Sequence, residues 1–135
     1  MKRGLSIGVA ASVFDVVTTQ MQPAFDGRVV HPVYGTVAMV YHMEWAARKV
    51  ILPFLQEDEE GIGTGVQVRH LYPAPIGTQI EVKAVCVGLL DNVINCEVQV
   101  WAGEQLLGEG RVEQRIVLRK SLHERFPEVW PLSQS

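Results

Sequence analysis

The segment from Gly35 to Leu55 is the feature that most restricts what this chain can fold into. Its apolar residues recur at helical spacing and fill one half of a helical wheel, so it predicts a long amphipathic helix that begins at Gly35-Thr36 and breaks at Pro53. One carboxylate, Glu44, lies at the edge of the apolar half. Because burying an unpaired carboxylate is costly, we expect Glu44 to be paired, neutralised or functional.

Strand-like sequence surrounds this helix. An alternating run through Phe14 and Val16 precedes it, and four further runs follow it, at residues 63–71, 78–90, 93–102 and 105–119. The broken segment 20–34 and the acidic stretch 57–60 are predicted to be loops. One helix followed by a meander of antiparallel strands favours a single α+β domain over residues 1–135, with the helix packed across a curved sheet.

Composition excludes several classes of function. The 135 residues carry a net charge of -3, and the basic residues form no run longer than a pair such as Arg119-Lys120, so nucleic-acid binding is not expected. No stretch reaches the roughly 18 consecutive apolar residues of a membrane span. The apolar run near the N-terminus ends at Asp15 without a small-residue cleavage pattern, so it is not interpreted as a secretory signal. A cytoplasmic protein without membrane partners is expected.

The two cysteines lie on either side of a predicted turn at Asp91-Asn92. Pairing about that turn sets Cys86 nearly opposite Cys96, so a cross-strand disulfide is geometrically conceivable. Reduced cysteines in the core are the favoured interpretation for a protein that is not secreted. Neither cysteine has the partners at metal-ligand spacing that a zinc site requires, and no metal site is predicted.

Three polar residues in apolar settings are candidates for function: Thr36, Glu44 and His70. An exposed ion pair between Glu44 and Arg48, one helical turn later, is the competing explanation for the carboxylate. His42 lies in the same sector of the helical wheel as Lys49, so partial solvation is expected there.

His70 follows Val66 and Val68 at two-residue spacing, which places its imidazole on the same face of a strand as the two valines. A lone histidine in that position is usually a hydrogen-bonded core residue. The competing possibility is that it takes part in a site with Thr36 or Glu44.

The spacing of several short motifs resembles a known family. These motifs are Gly35-Thr36, Met43-Glu44-Trp45-Ala46, Gly61-x-Gly63-Thr64 and Val68-x-His70. Together they resemble the hotdog-fold acyl-CoA thioesterases of the fluoroacetyl-CoA thioesterase type, over roughly Val33 to Leu118. The resemblance implies a hotdog fold, a homodimer with active sites at the subunit interface, and hydrolysis of an acyl-CoA without any cofactor beyond the coenzyme A moiety of the substrate.

The resemblance also assigns residues. It implies that Thr36, Glu44 and His70 are catalytic, that Gly63 lies beside the thioester, and that Arg115 lies near coenzyme A. The segment upstream of Gly35 matches the family least, so the reaction is carried over and the fluorinated substrate is not. A small or short acyl group is expected.

The chemistry requires a nucleophile or an activated water, a group that moves protons, and donors for the oxyanion. Glu44 could be the nucleophile or the base, His70 the proton shuttle, and Thr36 an orienting group. Eight helical residues separate Thr36 from Glu44 by about 12 Å, so the two cannot touch within one straight helix. Either Thr36 lies on a turn folded back before the helix, or a second subunit completes the site. Pairing of dimers into tetramers is left open.

Two other functions remain open at this point. One is a hotdog module that binds an acyl-CoA without catalysis. The other is an enoyl-CoA hydratase, because Asp26 and His31 resemble the Asp-x4-His dyad of the R-specific type, although Arg28-Val29 stands where that motif has Asn-Pro.

Overall fold

The computed structural model of the protein describes residues 1–130; residues 131–135, the end of the predicted domain, lie outside the described residues. The elements are β1 (Ala10–Val16), β2 (Ala24–Phe25), β3 (Arg28–Val29), α1 (Thr36–Ile51), β4 (Glu59–His70), β5 (Gln79–Leu90), β6 (Val93–Ala102), β7 (Gln105–Leu118) and α2 (Arg119–Arg125). Single 3-10 turns occur at Thr19–Met21 and Leu52–Phe54. Within residues 1–130, no helix is long and apolar enough to cross a membrane.

Five strands form one antiparallel sheet in the order β1-β5-β6-β7-β4, and β2 and β3 form a separate small hairpin. The long helix α1 contacts each of the five strands, so it lies across one face of the sheet. Its buried side chains pack against the inward residues of the strands; those on the helix include Met39, Met43, Ala46, Ala47, Val50 and Ile51. The predicted α+β architecture, a central helix against a curved antiparallel sheet, is confirmed.

The helix begins and ends where the sequence predicts. Gly35 is its N-cap in an extended conformation, and Pro53 falls in the 3-10 turn that follows Ile51. Proline cannot continue a helix because it lacks the amide N–H and its ring collides with the preceding turn. Because α1 starts directly after the Gly35 cap, Thr36 is the first helical residue and does not lie on a turn folded back before the helix.

Two glycines of β7 let the helix approach the sheet closely. A Cβ atom at Gly108 would collide with the Met39 thioether, and one at Gly110 would collide with the Met43 methyl group. A Cβ at Gly110 would also overlap the carbonyl oxygen of Gln67 on β4. The bare backbone at these positions thus sets the distance between α1 and the β4–β7 edge.

A β-bulge in β4 decides which of its residues face the helix. The register with β7 shifts between Gly63 and Gly65, so Thr64 is the extra residue. Gly63 pairs with Gln114, and His70 pairs with Gly108, both of which are on the helix side of β7. Side chains alternate between the faces of a strand, so an odd and an even residue share a face only because of this bulge.

The acidic stretch is a loop only in its first half, because residues 57–58 form a turn but residues 59–60 belong to a strand. β4 begins at Glu59, and both Glu59 and Glu60 are only half-exposed or less. Their charges are compensated, since Glu59 accepts a hydrogen bond from the N-terminal amine at 2.8 Å and Glu60 is paired with two arginines. The helix α2 is not predicted from the sequence, since the last predicted strand extends to residue 119 and no element is predicted after it.

The predicted position of the cysteines is confirmed. Cys86 lies directly opposite Cys96 in the β5–β6 register, and both are buried free thiols. Burial raises the pKa of the Cys86 thiol and raises that of Cys96 to about 12. Both therefore stay protonated and act as small apolar core residues.

Candidate functional site

Thr36 and His70 lie together at the N-terminal end of α1. The Thr36 Oγ1 atom is 3.0 Å from His70 Nδ1, and His70 Nε2 is 3.1 Å from the backbone carbonyl oxygen of Tyr72. A carbonyl oxygen can only accept, so Nε2 carries the proton of the neutral imidazole and donates it to Tyr72. Nδ1 is then the acceptor, and the Thr36 hydroxyl donates to it.

Burial lowers the pKa of His70 from its ordinary value, and the hydrogen bond to Tyr72 offsets part of that decrease. The imidazole is consequently neutral at physiological pH. A neutral His70 keeps Nδ1 available to take a proton, which is what a proton shuttle requires.

The Thr36–His70 pair lines a cavity of about 810 Å³ between the first turn of α1, the segment 20–34 and the residues that follow β4. The first turn of a helix leaves backbone N–H groups without intrahelical partners. Thr36, Val37 and Ala38 from that turn all line the cavity. The cavity thus combines a neutral histidine, a hydroxyl group and backbone donors.

A second polar chain forms the wall of the same cavity. The Tyr34 hydroxyl is 2.6 Å from His42 Nδ1, and His42 Nε2 is 2.9 Å from the Asp15 Oδ2 atom. The hydrogen bond from His42 holds the pKa of Asp15 below its usual value, so the carboxylate is ionised and accepts. In neutral His42, Nε2 then donates to Asp15 and Nδ1 accepts from Tyr34.

The expected solvation of His42 is wrong, because its side chain is 1% exposed. The helical wheel puts His42 beside Lys49, but the wheel does not show that β1 crosses that side of the helix and supplies Asp15. Burial of the Tyr34 phenol raises its pKa strongly, so it stays a donor.

Sequence reasoning missed Asp15 and Tyr34 as parts of this wall. A signal for Asp15 exists, since it shares a strand face with Val13 and Val17, both buried in the core. Tyr34 also contacts the catalytic candidates, because its ring meets the His70 ring edge-on with 5.9 Å between centroids.

Glu44 lies in a separate recess of about 290 Å³, on the part of α1 that faces β4 and β7. The expected alternative, an ion pair with Arg48, is not formed. Arg48 instead donates to Glu60 at 3.0 Å and to the Gly61 carbonyl oxygen at 3.1 Å. Among residues 1–130, Glu44 has no ion-pair partner within salt-bridge distance.

Gly63 faces Glu44 across this recess. A Cβ atom built on Gly63 would lie 3.8 Å from Glu44 Oε2, so the glycine leaves open the space next to the carboxylate. Arg115 does not join this group within one chain. Its neighbour in β7, Gln114, points to the helix and donates to the Ala47 carbonyl oxygen at 3.0 Å, so Arg115 lies on the opposite, exposed face of the sheet.

Within one chain, the structure brings together Thr36 with His70 and Glu44 with Gly63, but it does not join the two groups. Each group lines its own depression, and Tyr41 lines both.

Of the two residues behind the hydratase hypothesis, only His31 lines the cavity. Asp26 occupies the turn of the β2–β3 hairpin with φ of 52°, whereas His31 lines the cavity. Across the described part of the chain, no three metal-binding side chains cluster in a way that would hold a metal ion.

The fold and the site together define a hotdog-type protein of the thioesterase class. A Thermus thermophilus hypothetical protein, described as a thioesterase superfamily member, has a TM-score of 0.89 and 40% identity over 94% of each chain. A hot-dog-like protein from Thermanaerovibrio acidaminovorans has a TM-score of 0.83 at 17% identity over 90% of each chain, which shows the fold alone.

Residues 17–120 match the family described as fluoroacetyl-CoA-specific thioesterase. The chain belongs to this family. The fluoroacetyl-CoA thioesterase of Streptantibioticus cattleyicolor is 28% identical over 85 residues, which are 63% of this chain and 61% of that protein. The chain thus matches less than two thirds of the length of this curated relative.

Proposed function

We propose that the protein hydrolyses an acyl-CoA thioester with a small or short acyl group to the free acid and coenzyme A. The observation that carries the proposal is the hydrogen bond from Thr36 to a neutral His70 at the cavity, in a chain of this family. Crystal structures of the fluoroacetyl-CoA thioesterase contain acetyl-CoA in one case and fluoroacetate with CoA in another, which supports an acyl-CoA as the substrate here.

In the proposed mechanism, Glu44 attacks the thioester carbonyl carbon or takes a proton from the attacking water. If Glu44 attacks, the C–S bond breaks and leaves an acyl anhydride on Glu44, which water then hydrolyses to the free acid and the Glu44 carboxylate; if Glu44 is the base, the water adds directly to the carbonyl carbon and the C–S bond then breaks. In both routes the coenzyme A thiolate leaves and is protonated. His70 moves the proton through Nδ1, and Thr36 orients the reacting group by its hydroxyl. Backbone N–H groups of the first turn of α1, whose residues line the cavity, stabilise the oxyanion.

We propose that the active form is a homodimer in the cytoplasm and that each site takes residues from both subunits. Two observations support the dimer. The Thr36–His70 pair and Glu44 occupy separate depressions of one chain. In addition, an exposed apolar stripe runs along α1 at helical spacing, with Val37 79% and Tyr41 65% exposed, and Trp45 continues it. Arg115 is proposed to contact the coenzyme A moiety.

A thiol-release assay over acyl-CoAs of different chain length and polarity tests this function. Wild-type protein should release free coenzyme A, and Glu44→Gln should reduce kcat by at least about 100-fold, because the amide is neither a nucleophile nor a base. The matched control is Glu57→Gln, an exposed acidic residue after α1, which should keep wild-type turnover. Circular dichroism verifies that both variants fold.

Unchanged turnover in Glu44→Gln would show that Glu44 has no catalytic role. Calorimetry on the same acyl-CoAs separates the enzyme from a binding module. Tight binding without thiol release would replace the proposed hydrolysis with ligand binding.

A further inference from the structure

Glu60 holds an arginine away from the proposed catalytic carboxylate. Arg48 follows Glu44 by one helical turn, which is the spacing at which a glutamate and an arginine on a helix pair by default. Arg48 nevertheless donates Nη2 to Glu60 Oε1 at 3.0 Å and Nη1 to the Gly61 carbonyl oxygen at 3.1 Å. Both acceptors belong to β4.

Glu60 is fixed in place by contacts on both of its oxygens. Oε1 accepts from Arg48 and from the backbone N–H of Gly61 at 3.1 Å, and Oε2 accepts from Arg119 Nη2 at 2.6 Å. The Glu60 side chain is 13% exposed, and that of Arg119 is 5% exposed. Two cationic partners and a backbone N–H thus hold both oxygens of this carboxylate, so the side chain cannot turn away without losing these bonds.

The position of Arg48 affects how strong a base or nucleophile Glu44 can be. A guanidinium group beside a carboxylate makes that carboxylate a weaker base and a weaker nucleophile, because it stabilises the charged form. With Arg48 bound to β4, Glu44 has no ion pair within residues 1–130 and faces the open space at Gly63.

We propose that Glu60 is a positioning residue, which keeps Glu44 reactive by holding Arg48, a residue that lines the same recess, beyond salt-bridge distance of Glu44. The proposal rests on the proposed role of Glu44 as nucleophile or base. Glu60 itself touches neither of the two depressions that carry the catalytic candidates.

Three variants test this role: Glu60→Gln, Arg48→Met, and the two combined. In Glu60→Gln, Arg48 loses its anionic partner and becomes free to pair with Glu44, so kcat should fall by about 3- to 10-fold. In the combined variant no arginine is left to do so, and kcat should return to within about 2-fold of Arg48→Met. Arg48→Met alone should keep nearly the wild-type kcat.

The rescue separates positioning from stability. Both variants that carry Glu60→Gln leave Arg119 without its anionic partner, so both should unfold at lower urea concentration than the wild type. Lost stability therefore cannot explain a rate that recovers only when Arg48 is also removed. A combined variant as slow as Glu60→Gln, or a folded Glu60→Gln as fast as the wild type, overturns the proposal.

A structural measurement keeps the test independent of turnover. In a crystal structure of Glu60→Gln, the Arg48 guanidinium should lie within salt-bridge distance of the Glu44 carboxylate. An Arg48 that remains on the Gly61 carbonyl oxygen overturns the proposal even if the wild type proves inactive. If the wild type releases no thiol, the proposed function is refuted. The position of Arg48 in the Glu60→Gln crystal structure then decides by itself whether Glu60 holds Arg48 away from Glu44.

Discussion

At the scale of single residues, His70 and His42 each use both ring nitrogens in hydrogen bonds at the cavity. His70 accepts from Thr36 through Nδ1 because its other nitrogen is committed to the Tyr72 carbonyl oxygen. His42 bonds to the Tyr34 hydroxyl through Nδ1 and to the Asp15 carboxylate through its other nitrogen. At both histidines, Nδ1 thus faces a hydroxyl group, which is exposed Thr36 for His70 and buried Tyr34 for His42.

The buried hydroxyl of Tyr34 should contribute to stability. Tyr34→Phe leaves the buried His42 Nδ1 without its hydrogen-bond partner, so we expect the free energy of unfolding to decrease by about 1–3 kcal/mol. Tyr72→Phe is the matched control, since Tyr72 is 53% exposed and lies outside the stripe on α1, and should change stability by less than about 0.5 kcal/mol. Urea denaturation measures both. Equal, small effects would mean that the Tyr34 hydroxyl bond contributes nothing net.

The lowered pKa of His70 predicts a pH dependence of stability with a definite sign. The unfolded chain binds more protons than the folded one between the lowered pKa and the ordinary value of 6.5, so stability rises with pH in that window. The contribution of His70 is fully present above pH 6.5 and is lost as pH falls through its folded pKa. Urea unfolding from pH 5 to pH 8 should show this loss in the wild type.

His70→Gln removes the titrating group and provides the control for that experiment. As pH falls from 8 to 5, the free energy of unfolding of the wild type should decrease more than that of His70→Gln. A difference that does not vary between pH 5 and pH 8 contradicts the lowered pKa.

At the scale of elements, the packing of α1 against β7 and the bulge in β4 position the candidate residues. Gly108 and Gly110 let Met39 and Met43 sit directly on the sheet. The bulge at Thr64 then turns both Gly63 and His70 to the helix. His70 reaches Thr36 because its side chain lies on the helix side of β4 and because α1 packs close to the sheet. Neither condition alone would bring the two residues together.

Filling the space above Gly110 should destabilise this packing. Gly110→Ala places a methyl group against the Gln67 carbonyl oxygen and the Met43 methyl group, so we expect a loss of about 1–3 kcal/mol. Gly65→Ala on the neighbouring strand is the matched control, because its Cβ would meet only Glu113 Cβ at an ordinary 3.7 Å. Urea denaturation compares them. A Gly110→Ala variant as stable as the control would contradict close packing as the reason for the glycine.

At the scale of the whole molecule, one chain holds the catalytic candidates in two places. Thr36 and His70 lie in one cavity, and Glu44 lies in another recess. The rise of an α-helix keeps Thr36 and Glu44 roughly 12 Å apart along α1. A second subunit placed against the exposed stripe on α1 is the proposed means of joining them.

Mixing inactive subunits tests this arrangement. Co-expression of Glu44→Gln and His70→Gln chains with different tags yields heterodimers in which one site holds both substitutions and the other holds neither. If each site takes Glu44 and His70 from different chains, a random mixture should recover about 25% of wild-type thiol release. Activity no higher than that of the single variants would show that one chain supplies both residues.

Much of the fold was accessible from the sequence because local patterns decide it. The helix bounds follow from Gly35 and Pro53, and the facing cysteines follow from the turn at Asp91-Asn92. Glu59 and Glu60 were predicted wrongly, since their partners come from the N-terminus, α1 and α2, which are distant in sequence. Composition alone makes an acidic stretch look like a loop.

The sequence by itself determined one helix across an antiparallel sheet and the candidates Thr36, Glu44 and His70, because apolar periodicity and motif spacing are local properties. Tertiary structure decided which of them meet. Thr36 is hydrogen-bonded to His70, and His42 is buried between Asp15 and Tyr34. Arg48 pairs with Glu60 and not with Glu44. Each of these outcomes depends on contacts between elements that are separate in sequence. Hydrogen-bond and ion-pair partners of this kind are set by distance in space, and a local sequence pattern does not encode that distance.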